Sequence, residues 1–273
     1  VEFQSVNFSY QPRRPVLKDI SFVAEPGQAV ALVGHTGSGK TTLVGLLQKF
    51  YLPASGRVLV DSLDLNEVTS ESLRSQMGTV QQNNFLFSGS VLDNIRFARP
   101  EATDAEVAEV AAAVGVSRIA RRFVEGLDHQ VHEGGAGLSA GERQLISIAR
   151  ALLADPRILI FDEATSNIDR PSERLIEAAL DRLLTGRTSI IIAHRLATVR
   201  RADEILVMEH GRIVQRGRFD ALIDVDGPFR RLARELEDGD GLAAQAAQDD
   251  RQSSPVIGRR ESSAASVVRS DSE

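Results

Sequence analysis

The alternation of apolar and polar positions predicts where the strands of this chain lie. V-E-F-Q-S-V-N-F-S-Y at the start alternates as a strand with one buried face does, and residues 1–33 are predicted to form an antiparallel β-region. Short, wholly apolar runs instead predict strands that are buried on both faces. Such runs lie within 29–33, 157–163 and 189–193, and the second of these predicted strands ends in two acids. A further strand is predicted at 56–61, and a hairpin over 204–214 turns at His210–Gly211.

Apolar residues at helical spacing predict helices between these strands. Thr103 with Glu106 and Ser139 with Glu142 have the spacing of capping boxes, which begin helices, and Gly115 is suited to end the first of the two. Other helices are predicted at 41–49, around 175–183 and at 228–237. From 238 to 273 polar and small residues dominate without apolar periodicity, which predicts a disordered tail.

The apolar run at 29–33 leads directly into G-H-T-G-S-G-K-T-T at 34–42. A strand, a glycine-rich turn and a helix in this order predict a phosphate-binding loop. Glycines let backbone N–H groups approach a phosphate at the positive end of the helix. We expect Lys40 to contact the β- and γ-phosphates and Thr41 to bind Mg²⁺. The nucleotide-binding residues predicted in the loop are Gly34, Thr36, Gly37, Ser38, Gly39, Lys40, Thr41 and Thr42.

Polar residues end two of the buried strands and complete a predicted site for ATP hydrolysis. Asp162 is placed to hold Mg²⁺ through water, and Glu163 is placed to polarise an attacking water as a general base. His194 follows the strand at 189–193, whose carboxyl end is predicted to lie beside Asp162. A neutral imidazole there would donate a hydrogen bond to the γ-phosphate.

Composition excludes several classes of function. The net charge of −6, with no basic patch rich in aromatic residues, gives no electrostatic footprint for nucleic acid. The absence of cysteine excludes disulfides and thiolate metal sites. No apolar run approaches the roughly 20 residues that span a bilayer, so any membrane-spanning part is expected outside this sequence.

These motifs, in this order, resemble the nucleotide-binding domain of ABC transporters over residues 1–237. The loop at 34–42 is similar to the Walker A motif, 158–163 to the Walker B motif, and L-S-A-G-E at 138–142 to the signature motif. The resemblance implies an α/β fold with a RecA-like P-loop NTPase core, an antiparallel β-subdomain and an inserted α-helical subdomain at about 84–152. It also implies ATP and Mg²⁺ as cofactors.

The resemblance assigns further roles residue by residue. Tyr10 would stack on adenine, Gln82 would contact Mg²⁺ and take part in catalysis, and His194 would be the switch histidine. Asp169, in S-N-I-D, is similar to the D-loop aspartate. The implied catalytic residues are Lys40, Gln82, Glu163 and His194, the implied Mg²⁺ ligands are Thr41, Gln82 and Asp162, and the residues that would face a second domain are Ser139, Gly141, Glu142 and Asp169.

Two segments resemble the exporters of the family, namely 83–95 and E-G-G at 133–135. The resemblance implies an ATPase at the cytoplasmic face of the membrane, attached to a transmembrane domain through intracellular coupling helices and dimerised head to tail with a second nucleotide-binding domain. Phe85, Leu86 and Phe87 are predicted either to pack in the core or to form part of a socket for a coupling helix. A soluble ABC-type ATPase and a regulatory nucleotide-binding module are the alternative functions.

The signature segment departs from the common form L-S-G-G-Q at Ala140 and Glu142. A serine hydroxyl and free N–H groups at a helix end suit a phosphate that a partner domain holds. Glu142 places a carboxylate near that anion, unless the capping box draws it back onto the Ser139 N–H, and we expect Arg143 to offset its charge. Two interpretations stay open: a tolerated variant in an active homodimer, or the catalytically complete half of a heterodimeric exporter.

Overall fold

The structure, a computed structural model, describes residues 1–81, 84–163, 168 and 170–237. Two sheets and a helical region make up this part of the chain. The strands are β1 (Glu2–Phe8), β2 (Leu17–Val23), β3 (Ala29–Val33), β4 (Ser55–Val60), β5 (Leu63–Asp64), β6 (Met77–Val80), β7 (Gly89–Ser90), β8 (Gln130–Val131), β9 (Ile158–Asp162), β10 (Thr188–Ile192), β11 (Glu204–Glu209) and β12 (Arg212–Gly217). The helices are α1 (Lys40–Leu47), α2 (Ser70–Arg74), α3 (Val91–Arg96), α4 (Asp104–Ala113), α5 (Val116–Ala120), α6 (Ala140–Ala154), α7 (Arg170–Leu184), α8 (Leu196–Val199) and α9 (Phe219–Ile223), and residues 228–237 are also helical.

The larger sheet has six strands in the order β12-β11-β3-β10-β9-β6. β6, β9, β10, β3 and β11 run parallel, and β12 pairs antiparallel with β11 at one edge. Parallel strands of this kind are covered on both faces, which explains why their sequences are apolar without alternation. The predicted strands at 29–33, 157–163 and 189–193 and the hairpin are therefore confirmed, although the hairpin extends to Gly217.

Successive residues of the parallel strands enter two different cores. Val30 and Leu32 of β3 pack with α1 and the antiparallel sheet, whereas Ala31 and Val33 pack with residues of α6 and α7. Each parallel strand thus joins the two layers that lie on either side of the sheet. This arrangement holds the carboxyl ends of β3, β9 and β10 rigidly at one edge.

The smaller sheet has the order β2-β1-β4-β5 and is antiparallel. Phe3 and Phe22 stack on its buried face with their ring centroids 4.8 Å apart. The prediction of an antiparallel region over 1–33 is correct for β1 and β2 but wrong for β3, which belongs to the parallel sheet. β3 is apolar at every position, as burial on both faces requires.

Helices α3 to α6 form the helical region between the phosphate-loop part and β9. Capping boxes begin α3 at Ser90, α4 at Thr103 and α6 at Ser139, and Gly115 follows α4 in a left-handed conformation. α1 ends at Leu47, two residues earlier than predicted, because Lys49 adopts a left-handed φ of 56°. None of the helices in the described part of the chain is both long and apolar enough to cross a bilayer.

Candidate functional site

The glycine-rich loop passes through a space that larger residues would block. A Cβ on Gly34 would lie 2.2 Å from the Met208 carbonyl oxygen, and a Cβ on Gly39 would lie 2.7 Å from Leu17 Cδ2. Both glycines also have positive φ angles, 147° and 108°, which side-chain-bearing residues rarely adopt. Glycine at these two positions therefore allows the loop to turn between β11 and β2 into α1.

Lys40 is the first residue of α1, and its ammonium group lies inside the loop. Its Nζ donates to the carbonyl oxygens of Gly34, at 2.5 Å, and His35, at 3.1 Å. Burial lowers the pKa of Lys40, and the nearby Asp162 carboxylate acts in the opposite direction. The Ser38 hydroxyl is also buried and has no hydrogen-bond partner among the described residues. A cation and an unpaired hydroxyl in one loop form a site suited to an anion.

Asp162 and His194 meet at the carboxyl edge of the parallel sheet. β9 and β10 are neighbours, with Ile192 in register with Asp162, so the residues after these two strands lie side by side. Together with the loop they line a cavity of about 470 Å³. The lining residues are Val16, Thr36, Gly37, Gly39, Lys40, Thr41, Thr42, Asp162, Ile192 and His194.

The charges around this cavity shift one another's protonation. Burial raises the pKa of Asp162, while His194 and Lys40 lower it. Burial also lowers the pKa of His194, as does the Lys40 ammonium, against the opposing effect of Asp162. Because the ordinary pKa of histidine is already about 6.5, His194 is neutral near pH 7. A neutral imidazole has one N–H to donate and one nitrogen that accepts.

Glu163 follows Asp162 in the chain and is only 4% exposed. Its backbone N–H donates to Ile192 O at 3.0 Å, and its Oε1 accepts a hydrogen bond from the Thr198 hydroxyl at 2.8 Å. Burial raises the pKa of Glu163 to about 7, although the Thr198 hydroxyl and the charge of Arg195 act in the opposite direction. The sequence analysis did not single out Thr198, because only the turn of α8 brings it back to this carboxylate.

Tyr10 lies beside the loop and is 53% exposed. Its hydroxyl is hydrogen-bonded to Thr42 Oγ1 at 3.1 Å. The ring packs edge-on against Phe8 and Tyr51, with centroid distances of 4.9 and 5.1 Å. The two neighbouring rings hold Tyr10 in place while much of its surface stays accessible to a flat ligand.

The signature segment begins α6, and its Glu142 points back into the chain. Glu142 Oε2 accepts from the Ser139 N–H at 2.8 Å, and Ser139 Oγ accepts from the Glu142 N–H at 3.2 Å. Glu142 Oε1 forms an ion pair with Arg122. The expectation that Arg143 offsets this charge is wrong, because its guanidinium donates to Leu138 O and Arg122 forms the ion pair instead.

The residues predicted to face a partner differ in their accessibility. Ser139 is exposed, whereas Gly141 and Glu142 are buried within the chain. A Cβ on Gly141 would lie 2.7 Å from Ser172 Cβ, so this glycine allows α6 to pack closely against α7. None of the three lines the cavity at the phosphate loop. Asp169 and Gln82 lie outside the described residues.

The segment from Phe85 to Phe87 divides between the core and the surface. Leu86 is fully buried, whereas Phe85, Phe87 and Phe97 are exposed. Phe87 stacks on Phe97 with centroids 4.4 Å apart and meets the edge of Phe85 at 5.3 Å. The Arg150 guanidinium lies over Phe87 and Phe97, 5.5 and 5.6 Å from their centroids. We call the three exposed rings the aromatic patch.

Comparison with known proteins places these observations in a family. The family described as ABC transporter matches residues 17–166. A fatty acid ABC transporter ATP-binding/permease protein of Mycobacterium bovis is 49% identical over 234 residues, which are 86% of this chain and 37% of that protein. A β-(1→2)glucan export ATP-binding/permease protein of Bradyrhizobium diazoefficiens is 48% identical over 237 residues, 86% of this chain and 39% of that one.

A solved structure agrees with these relatives. A bacterial Atm1-family ABC exporter with ATP bound matches with a TM-score of 0.80 and 39% identity, over 86% of this chain and 41% of that chain. The chain therefore spans about two fifths of the length of the relatives it matches. The match confirms the expected P-loop NTPase fold of an ABC ATPase domain.

Proposed function

We propose that this chain, which belongs to the ABC transporter family, binds and hydrolyses ATP to power the export of a substrate across a membrane. The observation that carries the proposal is the cavity at the carboxyl edge of the sheet. Lys40, Asp162 and His194 line it together, and Glu163 lies buried behind Asp162. Relatives named as export and ATP-binding/permease proteins support the direction of transport.

The phosphates of ATP would lie in the loop at 34–42. Backbone N–H groups and the Lys40 ammonium would bind the β- and γ-phosphate oxygens, and the unpaired Ser38 hydroxyl supplies one further donor. The exposed part of the Tyr10 ring would stack on the adenine ring, while Thr42, Phe8 and Tyr51 hold the tyrosine in place. Both contacts together would direct the γ-phosphate toward Asp162 and His194, which line the same cavity.

The residues around the cavity fit a magnesium ion. The Thr41 hydroxyl and the Asp162 carboxylate line the same cavity, and oxygen is the ligand that Mg²⁺ prefers. Mg²⁺ usually takes one or two protein oxygens and fills its remaining positions with phosphate and water. When bound, the ion would neutralise charge on the β- and γ-phosphates. Gln82 is the proposed third ligand.

In the proposed reaction, water attacks the γ-phosphorus while the bond between this phosphorus and the oxygen bridging to the β-phosphate breaks. The products are ADP and phosphate. Glu163 accepts a proton from the attacking water, and a base with a pKa of about 7 is well matched to this task near neutral pH. Neutral His194 donates its N–H to the γ-phosphate. Lys40 stabilises the negative charge that spreads over the phosphate oxygens.

We propose a second nucleotide-binding domain as the partner, arranged head to tail. The exposed Ser139 and the N-terminal end of α6 would bind the γ-phosphate held by the partner, since neither is part of the chain's own cavity lining. The inward direction of Glu142 favours a tolerated variant in an active homodimer over a weakened site in a heterodimer. Its carboxylate is already bound to Ser139 and Arg122.

The membrane domain is proposed to bind at the aromatic patch. Its three exposed rings contact one another and form a larger apolar surface than a single exposed apolar side chain would provide. A coupling helix of the transmembrane domain would lie on this surface. In this arrangement the chain would be at the cytoplasmic face of the membrane. A soluble ABC-type ATPase or a regulatory nucleotide-binding module is the alternative function.

The test is ATPase activity and transport by the protein that contains this chain, reconstituted in lipid vesicles with its membrane domain. We expect Glu163→Gln to abolish phosphate release and substrate movement together, because the general base is lost. Glu209→Gln is the matched control, since Glu209 ends β11 of the same sheet but lies outside the cavity lining. Hydrolysis that proceeds without any need for a membrane domain would favour the soluble ATPase, and no hydrolysis would favour the regulatory module.

A further inference from the structure

Thr198 is a buried polar residue that the proposed mechanism does not yet use. It lies in α8, the single helical turn that follows His194, and is only 3% exposed. Its hydroxyl donates to Glu163 Oε1 at 2.8 Å. Both partners of this hydrogen bond are more than nine-tenths buried, so water does not compete for either of them.

The bond joins the two strand ends that carry the proposed chemistry. Glu163 follows β9 and Thr198 lies beyond β10, and the two residues are 35 positions apart. A second tie runs through the backbone, where the Glu163 N–H donates to Ile192 O at 3.0 Å. The backbone bond holds the Cα of Glu163, and the Thr198 hydroxyl binds its side chain. The backbone N–H groups of His194 and Arg195 also lie close enough to this carboxyl to lower its pKa against the effect of burial.

The two carboxylate oxygens of Glu163 consequently differ. Oε1 is held by Thr198, whereas Oε2 is buried and has no hydrogen-bond partner in the part of the chain that the structure describes. A buried carboxylate oxygen with no donor is costly, and such groups commonly serve a ligand or a reaction. The arrangement leaves one oxygen held by Thr198 and the other without a hydrogen-bond donor among the described residues.

We propose that Thr198 is a positioning residue for hydrolysis, which orients Glu163 so that Oε2 receives the proton of the attacking water. This inference rests on the proposed role of Glu163 as general base. Thr198 is not one of the residues that line the cavity, and its hydroxyl binds Glu163, so we expect its effect on ATP to pass through Glu163. It therefore acts on turnover and not on nucleotide affinity.

The test compares Thr198→Val, which keeps the shape but removes the hydroxyl, with Thr198→Ser, which keeps the hydroxyl. We expect Thr198→Val to lower kcat by about 10- to 100-fold, a part of the roughly 10²- to 10⁴-fold that a general base contributes. The KM for ATP should stay within about twofold, and Thr198→Ser should restore most of kcat. Thr188→Val is the matched control, because Thr188 begins β10, at the end of this strand opposite His194, and its hydroxyl accepts a hydrogen bond from the Gly27 N–H.

Combination with Glu163→Gln separates this inference from the proposed function. If Glu163→Gln leaves turnover intact, the general-base assignment fails. If Glu163→Gln abolishes turnover while Thr198→Val turns over like the wild type, only the role of Thr198 is overturned. In the Glu163→Gln background Thr198→Val should cause no further loss. If Thr198→Val does not fold, Thr198→Ala takes its place. Two results would overturn the inference: a rise in KM as large as the fall in kcat, or no recovery of kcat in Thr198→Ser.

Discussion

The phosphate-loop edge and the start of the signature helix are both proposed to bind phosphate, yet they are built differently. At the loop edge, Ser38 Oγ and Glu163 Oε2 are buried without a hydrogen-bond partner among the described residues, and burial shifts the pKa of Lys40, Asp162 and Glu163. At the signature start, Ser139 and Glu142 satisfy each other, and Arg122 pairs with the remaining oxygen.

This difference indicates which polar groups would contribute most to the free energy of ligand binding. Buried polar groups without partners gain strongly when a ligand arrives, because they lose no existing hydrogen bond. Groups that already satisfy one another gain little, so the signature start depends on the approach of another surface. We therefore expect large functional effects from changes at the loop edge and mainly structural effects from changes at the signature start.

The largest effect is expected from Lys40→Ala. Loss of the ammonium removes charge-assisted hydrogen bonds to two phosphates, and the Kd for ATP should rise on the order of 100-fold, about 2.7 kcal/mol. Isothermal titration calorimetry with ATP measures the change. Lys18→Ala is the matched control, since Lys18 lies in β2, outside the cavity lining. An unchanged affinity in Lys40→Ala would refute the assignment of the phosphate loop.

Glu163→Gln should affect assembly as well as turnover. With hydrolysis slowed by about 10²- to 10⁴-fold, ATP stays bound and should hold two domains together. Light scattering coupled to gel filtration in the presence of ATP and Mg²⁺ should show a dimer that ADP does not support. A variant that stays monomeric with ATP would count against binding between the loop edge of one domain and the signature start of another.

Gly141→Ala tests the structural character of the signature start. Its new methyl would lie 2.7 Å from Ser172 Cβ, and overpacking of this kind costs about 1–3 kcal/mol, against a gain of at most about 1 kcal/mol in helix propensity. Thermal unfolding should therefore show a lower Tm. Gly45→Ala in α1 is the control, because its methyl would meet Tyr51 only at 3.6 Å and stability should rise slightly. Equal effects of both substitutions would contradict the close contact between α6 and α7.

The smallest effect is expected from Glu142→Gln. The amide still accepts from the Ser139 N–H and loses only a partly exposed ion pair with Arg122, which is worth about 0–1 kcal/mol. ATPase activity should stay within about twofold of the wild type in a steady-state assay. A tenfold or greater increase would mean that the carboxylate repels the partner's phosphate, and the heterodimer interpretation would then be favoured. Arg122→Ala, which leaves Glu142 in place, measures the ion pair alone.

The sequence predicted most of the regular elements, and its failures have physical causes. β6 was missed because Met77–Val80 is short and contains Gly78 and Thr79, so it lacks an apolar run. Its place at the sheet edge comes from pairing with β9, which a local pattern does not encode. α8 was missed for a related reason, since four residues are too few to show helical periodicity.

The sequence predicts which residues form the candidate site, but not the contacts that these residues make with side chains of other elements. Lys40, Asp162 and His194 follow from a loop motif and from residues that end apolar strands, and the structure brings them to one cavity. The sequence does not decide between two directions for the Glu142 side chain. A capping box is a local signal, whereas Arg122, which pairs with Glu142, comes from the end of a different helix. The roles of Gln82 and Asp169 stay predictions.

The sequence by itself determined the family, the phosphate loop, the strand ends that carry the acids, and the beginnings of α4 and α6. These features depend on residues that are close in the chain, where spacing and periodicity are directly visible. Only the tertiary structure decided that Thr198 holds Glu163, that Gly141 meets Ser172 and that Arg122 pairs with Glu142. Each of these contacts joins separate elements, and their relative position is determined by the packing of the two cores on either side of the sheet.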